Sequence, residues 1–297
     1  MRRCRLLLLL LPLLTLNSAA AADSPASQAN TAAVAVTTPQ GRSLDDLNSS
    51  PIQDNSFLVE EAYNQEDGVV QHISFFQRLS TGNWVFTQTD EWPLHSLKQQ
   101  LSLTVAGTHA ADFSGAGWGD TFINYRYQLV GSGETRLAIA PRISLLLPTG
   151  SASSNRGIGG VGLQTNLPVS LQLNKRFVTH FNAGMTWVPH AQNAFHQTAT
   201  SLGTNFGQSL VWLANNRFNA LLETVWTSTP QVAGPGVTTP QHSLFVSPGV
   251  RWAYNFRNGL QVVPGVGMPV GIGPASGQLG AIFYLSFEHG VALAHSR

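Results

Sequence analysis

The chain has 297 residues, with 16 Lys and Arg against 15 Asp and Glu and only 10% charged residues. Ordinary soluble domains carry about 25%, and a near-neutral chain without a basic tract excludes a nucleic-acid binder. The single cysteine is Cys4, so disulfide staples and cysteine-ligated zinc or iron–sulfur centres are excluded from everything after it.

Residues 1–22 read as a signal peptide. Arg2, Arg3 and Arg5 form a positive start, Leu6 to Leu16 an apolar run, and Ala20, Ala21 and Ala22 the small residues of a cleavage site. The run is too short to anchor in a bilayer. Cleavage after Ala22 removes Cys4 and leaves a net charge of −2. An exported chain poor in charge, with no later apolar stretch of helix-spanning length, predicts the other spanning solution, a closed barrel.

Residues 23–68 differ from the rest. They open rich in Ala, Ser, Thr and Asn, which reads as a mobile segment. Eight acids against Arg42 give a net of −7. Within them "NSFLVEEAYNQEDG" (Asn55 to Gly68) is expected to form a short helix capped by Asn55 or Ser56.

From Val69 the pattern becomes alternating. Twelve strands are predicted, over 69–79, 82–92, 97–107, 120–130, 135–149, 160–174, 177–189, 200–214, 217–229, 242–256, 260–272 and 278–287. They are long for globular strands and suit tilted membrane strands of about 9–11 residues. In 242–256, Leu244, Val246, Val250, Trp252 and Tyr254 oppose Ser243, Ser247 and Arg251. Apolar residues toward lipid and polar residues toward a lumen is the porin-type pattern. Every second link is short (93–96, 131–134, 175–176, 215–216, 257–259), and most of the others are long (108–119, 150–159, 190–199, 230–241). Short periplasmic turns and long outer loops have this rhythm. Most of the seven tryptophans fall near strand ends, where the membrane interfaces would lie. The expected fold is therefore all-β: a transmembrane antiparallel barrel of about twelve strands over 69–287, in the outer membrane of a Gram-negative cell. A periplasmic or plug segment precedes it, and a tail over 288–297 follows. In the last strand, Gln278, Gly280, Phe283, Leu285 and Phe287 resemble the signal read by the barrel-assembly machinery, although ten residues follow Phe287.

The lumen is expected to be basic. Arg78, Lys98, Arg126, Arg136, Arg142 and Arg251 are predicted inward, with Glu91, Asp120 and Glu223 as inward acids, and residues 69–287 sum to +5. Such arginines either favour anions or pair with acids to hold the wall. The contrast of −7 against +5 suggests that residues 23–68 plug the barrel, with Glu60 and Glu61 approaching Arg126, Arg136 or Arg142. Raised salt is then expected to weaken the plug. A leader that never enters the barrel is the other reading.

Catalytic chemistry is sparse. His72 and Ser74 share a strand face, predicted inward with Ile73 and Phe75 outward, as do His180 and Asn182. Twelve-stranded outer-membrane phospholipases use a His–Ser pair, but such a site opens toward lipid and is recognised by geometry. His190 and His196 in one predicted loop, and His109 and Asp112 in another, lack metal-ligand spacing. "GIGGVG" (Gly157 to Gly162) opens a strand, whereas a phosphate loop opens a helix. No metal, cofactor or enzyme activity is expected.

Asn55 to Ser74, "NSFLVEEAYNQEDGVVQHIS", followed by "LLLPTG" (Leu145 to Gly150), resembles a large family of outer-membrane proteins named for the meta-pathway of phenol degradation. Its members are often labelled transporters. The resemblance, over roughly residues 55–287, implies a twelve-strand-type barrel passing small, aromatic solutes. The expected partners are outer-membrane lipid, the assembly machinery and a small solute, and the expected function is passage of small aromatic or anionic solutes. The alternatives are a lipid-acting hydrolase using His72 and Ser74, and a structural or adhesive barrel.

Overall fold

The computed structural model describes residues 43–53, 56–94, 98–111 and 115–290. The expected signal peptide with Cys4, Asn55, Asp112 and most of the expected tail lie outside the described residues.

The strand segments are β1 (Val69–Leu79), β2 (Trp84–Pro93), β3 (Gln99–His109), β4 (Ala116–Trp118), β5 (Thr121–Tyr127), β6 (Leu137–Ile139), β7 (Arg142–Leu147) and β8 (Gly162–Asn174). They continue with β9 (Phe177–Gln192), β10 (Thr198–Asn215), β11 (Phe218–Gly234), β12 (Val237–Trp252), β13 (Tyr254–Asn255), β14 (Gln261–Gly267), β15 (Val270–Gly271) and β16 (Gly280–Gly290). Four walls are interrupted: β4 with β5, β6 with β7, β12 with β13, and β14 with β15. The result is a closed antiparallel barrel of twelve strands. It closes where β1 pairs with β16, from Val69 opposite Gly290 to Leu79 opposite Gly280. The last strand thus takes in Glu288, His289 and Gly290, which sequence reading left in the tail. No described helix is long and apolar enough to cross a membrane.

Side chains are sorted oppositely to those of a soluble barrel. Leu163, Leu167, Phe206, Leu210, Leu222 and Phe283 are exposed, while Ser144, Ser209, Asn219, Glu223, Ser247 and Arg251 are buried inside. Exposed apolar residues alternating with enclosed polar ones is the arrangement a lipid-facing barrel requires. Trp118, Trp187 and Trp212 stand exposed close to strand ends.

Three expectations need correction. The links at 190–199 and 230–241 are largely strand, because β9–β10 and β11–β12 continue their ladders to Gln192–Thr198 and Gly234–Val237. Residues 57–63 form bends rather than a helix. The one α-helix among the described residues is α1 (Leu44–Ser49), closed at its start by a capping box between Ser43 and Asp46. Finally, β1 faces the other way. Gln71 is buried inside and bonded to Glu288, and Ile73 and Phe75 line an interior cavity, so His72, Ser74, Phe76 and Arg78 point outward.

Candidate functional site: the occupied lumen

Segment 56–65 lies inside the barrel and bonds to its wall along its whole length. Ser56 Oγ donates to Ser209 Oγ at 2.8 Å. The backbone N–H groups of Phe57, Leu58 and Val59 all donate to one carboxylate oxygen, Glu223 Oε1, at 3.0, 2.9 and 3.0 Å. Glu60 N donates to Asn182 Oδ1 at 2.8 Å, and Asn182 Nδ2 returns a bond to Glu60 O at 2.7 Å. Ala62 N donates to Ser170 Oγ, Asn64 N to Gln128 Oε1 and Gln65 N to Gln100 Oε1. The segment therefore starts at β10 and β11 and then passes β9, β8, the end of β5 and β3 in turn. No helix forms there: the N–H groups of Ala62, Asn64 and Gln65, which a helix would pair internally, go to the wall instead.

Glu60 is the charged centre of this segment. Its Oε2 lies 2.9 Å from Arg142 Nε, and its Oε1 lies 3.2 Å from Arg126 Nη1. Asn166 Nδ2 donates to Glu60 Oε2 at 2.8 Å. Burial opposes its ionisation, but Arg142 and Arg126, with the bonds from Asn166 and Arg142, hold its carboxyl below the ordinary value of 4.5. Arg126 also donates to Asn64 Oδ1 and to the Tyr63 carbonyl. Tyr63 packs edge-on against His180 at 5.8 Å, and burial pushes its hydroxyl up to about 12.

Phe57 fills a second pocket. Arg251 lies over its ring at 4.5 Å and over the Tyr284 ring at 3.7 Å. A Cβ on Gly265 would meet Phe57 at 2.6 Å and one on Gly267 at 3.2 Å, so the glycines make room for the ring. This pocket lies where the ladder is interrupted. β12 pairs with β14 only from Gly249 to Arg251 and with β15 only at Phe245 and Val246.

The structure separates the predicted lumen charges. Arg126, Arg142, Glu223 and Arg251 are inside and engaged with segment 56–65. Arg78 is exposed on the outer face. Lys98 and Arg136 are exposed just before β3 and β6, where their carbonyls still accept Gln128 N and Gln172 N at the end of the wall. Glu61 turns back to accept Ser56 N at 2.6 Å, and its backbone oxygen accepts from Arg126 Nη1. Asp120 accepts N–H groups from Gly150 and Ile158, fixing a loop rather than the lumen. Glu91 accepts from Gln100 at 2.8 Å. Gly280, Phe283, Leu285 and Phe287 lie on β16, with Phe283 exposed, and Gln278 precedes that strand.

The anchors Asn182, Ser170, Gln128 and Gln100 carry no distinctive sequence signal, since any barrel interior is polar. The glycine pocket did leave one in Gly265 and Gly267, spaced two apart beside Pro264.

His72 and Ser74 lie on the outer face but do not form a nucleophile–base pair. Ser74 Oγ donates to Gln88 Oε1 at 2.6 Å, and His72 Nδ1 lies 2.7 Å from Asp90 Oδ1. No group of three or more His, Cys, Asp or Glu side chains among the described residues is arranged to hold a metal.

No family model matches the chain, and no curated protein does. Solved structures do match. The COG4313 outer membrane channel from Pseudomonas putida F1 superposes with a TM-score of 0.56 at 10% identity, over 77% of this chain and 97% of that one. The NanC porin matches with a TM-score of 0.49 at 8% identity, over 75% of this chain and 100% of that one. The KdgM porin in complex with disordered oligogalacturonate gives 0.48 at 8%, over 75% and 99%. At 10% identity the match to the COG4313 structure concerns the fold alone, that of an outer-membrane β-barrel.

Proposed function

We propose that this chain is an outer-membrane channel for small solutes whose lumen is narrowed at rest by its own segment 56–68. The observation that carries this reading is the clamp of three consecutive backbone N–H groups on Glu223, made by a segment that leaves space beside it. A cavity of about 380 Å³ lies between Phe57, Val59, Tyr63 and the inner face of β1 and β2. A second, of about 310 Å³, shares Glu60, Ile73, Thr89 and Glu91 with it. A third, of about 960 Å³ and bordered by Arg156 and Phe195, opens at the loop end. The short-turn end, where α1 sits, is the periplasmic one in this reading.

The lumen arginines are occupied by Glu60 and by aromatic rings, so the resting channel offers no free ring of positive charge. Ile73, Phe75, Phe57 and Tyr284 among threonines suit a small solute with an apolar or aromatic part. Membership of the family named for the meta-pathway of phenol degradation belongs to the same proposal, as does recognition of β16 by the assembly machinery.

Planar-bilayer recording on the refolded chain without its signal peptide tests the reading. The expected result is a small conductance that rises when residues 43–68 are deleted. An unchanged conductance in a deletion that still folds as a barrel would remove the gating role. No conductance or solute uptake from either form would remove the channel reading itself.

A further inference from the structure

The outer face of the closing seam holds a histidine pair that the channel reading does not use. His72 on β1 and His289 on β16 are brought together only by barrel closure, where His289 stands opposite Val70 and diagonal to His72. Their Nε2 atoms are 3.2 Å apart, and the rings stack with centroids at 5.3 Å and planes 21° apart. The far nitrogen of each ring faces an acceptor. His72 Nδ1 lies 2.7 Å from Asp90 Oδ1, and His289 Nδ1 lies 3.3 Å from the Gly290 carbonyl oxygen.

That arrangement constrains the protons. A neutral imidazole carries one N–H. If each ring gives it to the acceptor beside Nδ1, two bare lone pairs face each other across 3.2 Å. A cation between them removes the repulsion, whether a shared proton or a metal ion. Two nitrogens bound about 2.0–2.1 Å from one tetrahedral zinc stand roughly 3.3 Å apart, close to the observed spacing. Asp90 behind His72 is the partner that fixes a metal-binding imidazole in its tautomer. The His72 and Asp90 side chains are 37% and 32% exposed, so the site is open to ions from the rim near Trp92.

We infer that His72 and His289 bind one divalent transition-metal ion of the zinc or copper class. Asp90 holds His72 in place, and water completes the coordination. Imidazole donors without thiolate or a carboxylate cluster select this class over calcium or magnesium. The ion would join the first strand to the last and so staple the closure of the barrel.

The test uses the refolded chain without its signal peptide and without an affinity tag, in detergent, dialysed against Zn²⁺ alone. The expected result is one equivalent retained, with loss in His72→Gln and in His289→Gln. Asp90→Asn should weaken retention about 10–100-fold. Folding of each variant is checked by its shifted migration before boiling. Zinc should raise the temperature at which the wild-type band converts, and should not do so in the two glutamine variants. No retained zinc in folded wild type would overturn the site in favour of a shared proton. Full retention in both glutamine variants, with loss in His295→Ala, would overturn it in favour of the tail.

Discussion

Glu60 reaches Arg142 across 82 residues of sequence, with Oε2 2.9 Å from Nε inside the barrel. The same carboxylate also holds Arg126, so one acid of the N-terminal segment pairs with two arginines of the wall. Glu60→Gln keeps the shape and removes the charge. A hydrogen bond to a charged group is worth roughly 1.5–3 kcal/mol. Occupancy of the open state should therefore rise at least about tenfold, read as single-channel conductance or solute uptake by liposomes. Wild-type behaviour would show that the pair does not hold the segment down.

Acid should release the segment, and only well below neutrality. The docked carboxyl of Glu60 is held below 4.5, its ordinary value. A depressed acid stabilises docking fully above the undocked value, and that stabilisation is lost as pH falls through the docked one. Conductance should stay flat from pH 8 to about pH 5 and rise below about 4.5. A rise between pH 8 and 6 would point to a different titrating group.

Salt should matter less than the charge contrast in the sequence suggests. Arg126 is 7% exposed and Glu60 23%, and three further contacts to Glu223 are made by uncharged backbone. Screening acts mainly on exposed charges. Raising salt from about 0.1 to 1 M should leave the fraction of open time nearly constant once bulk conductivity is divided out. A steep salt dependence would sink this picture of a buried clamp.

Neighbouring residues 222 and 223 should behave oppositely. Leu222 is 47% exposed on the outer face, and Glu223 is fully buried inside. An arginine on the lipid face costs roughly 2–4 kcal/mol near the midplane and less at the interfaces. Leu222→Arg should lower refolding yield, whereas Glu223→Gln should fold and leak. Equal yields for both would put the facing of β11 off by one.

Phe57 should be displaced by filling its pocket. Gly265→Val places branched carbon where the ring now sits, 2.6 Å from an ideal Cβ. The expected outcome is a folded barrel with raised conductance, matching Phe57→Ala. A silent Gly265→Val, with an intact heat-modifiable band, would show that the ring is not part of the closure.

The barrel was legible in the sequence because its evidence is local. Alternation over 160–174 or 242–256 sets which side chains meet lipid, and short links force antiparallel neighbours. Neither depends on distant parts of the chain. β1 was misread because both of its faces look alike: Val70, His72, Ser74 and Phe76 against Gln71, Ile73, Phe75 and Gln77. Pairing with β16, in which Glu288 is inside and Phe283 outside, decides between them. The segment before the barrel was legible only as charge. Its acidity announced a basic counterpart, but Asn182, Ser170, Gln128, Gln100 and Glu223 are scattered along the chain and converge only when the walls close. A short stretch in isolation satisfies its own N–H groups and so reads as a helix. Inside a closed polar wall those N–H groups find fixed acceptors, and the chain is drawn out along them.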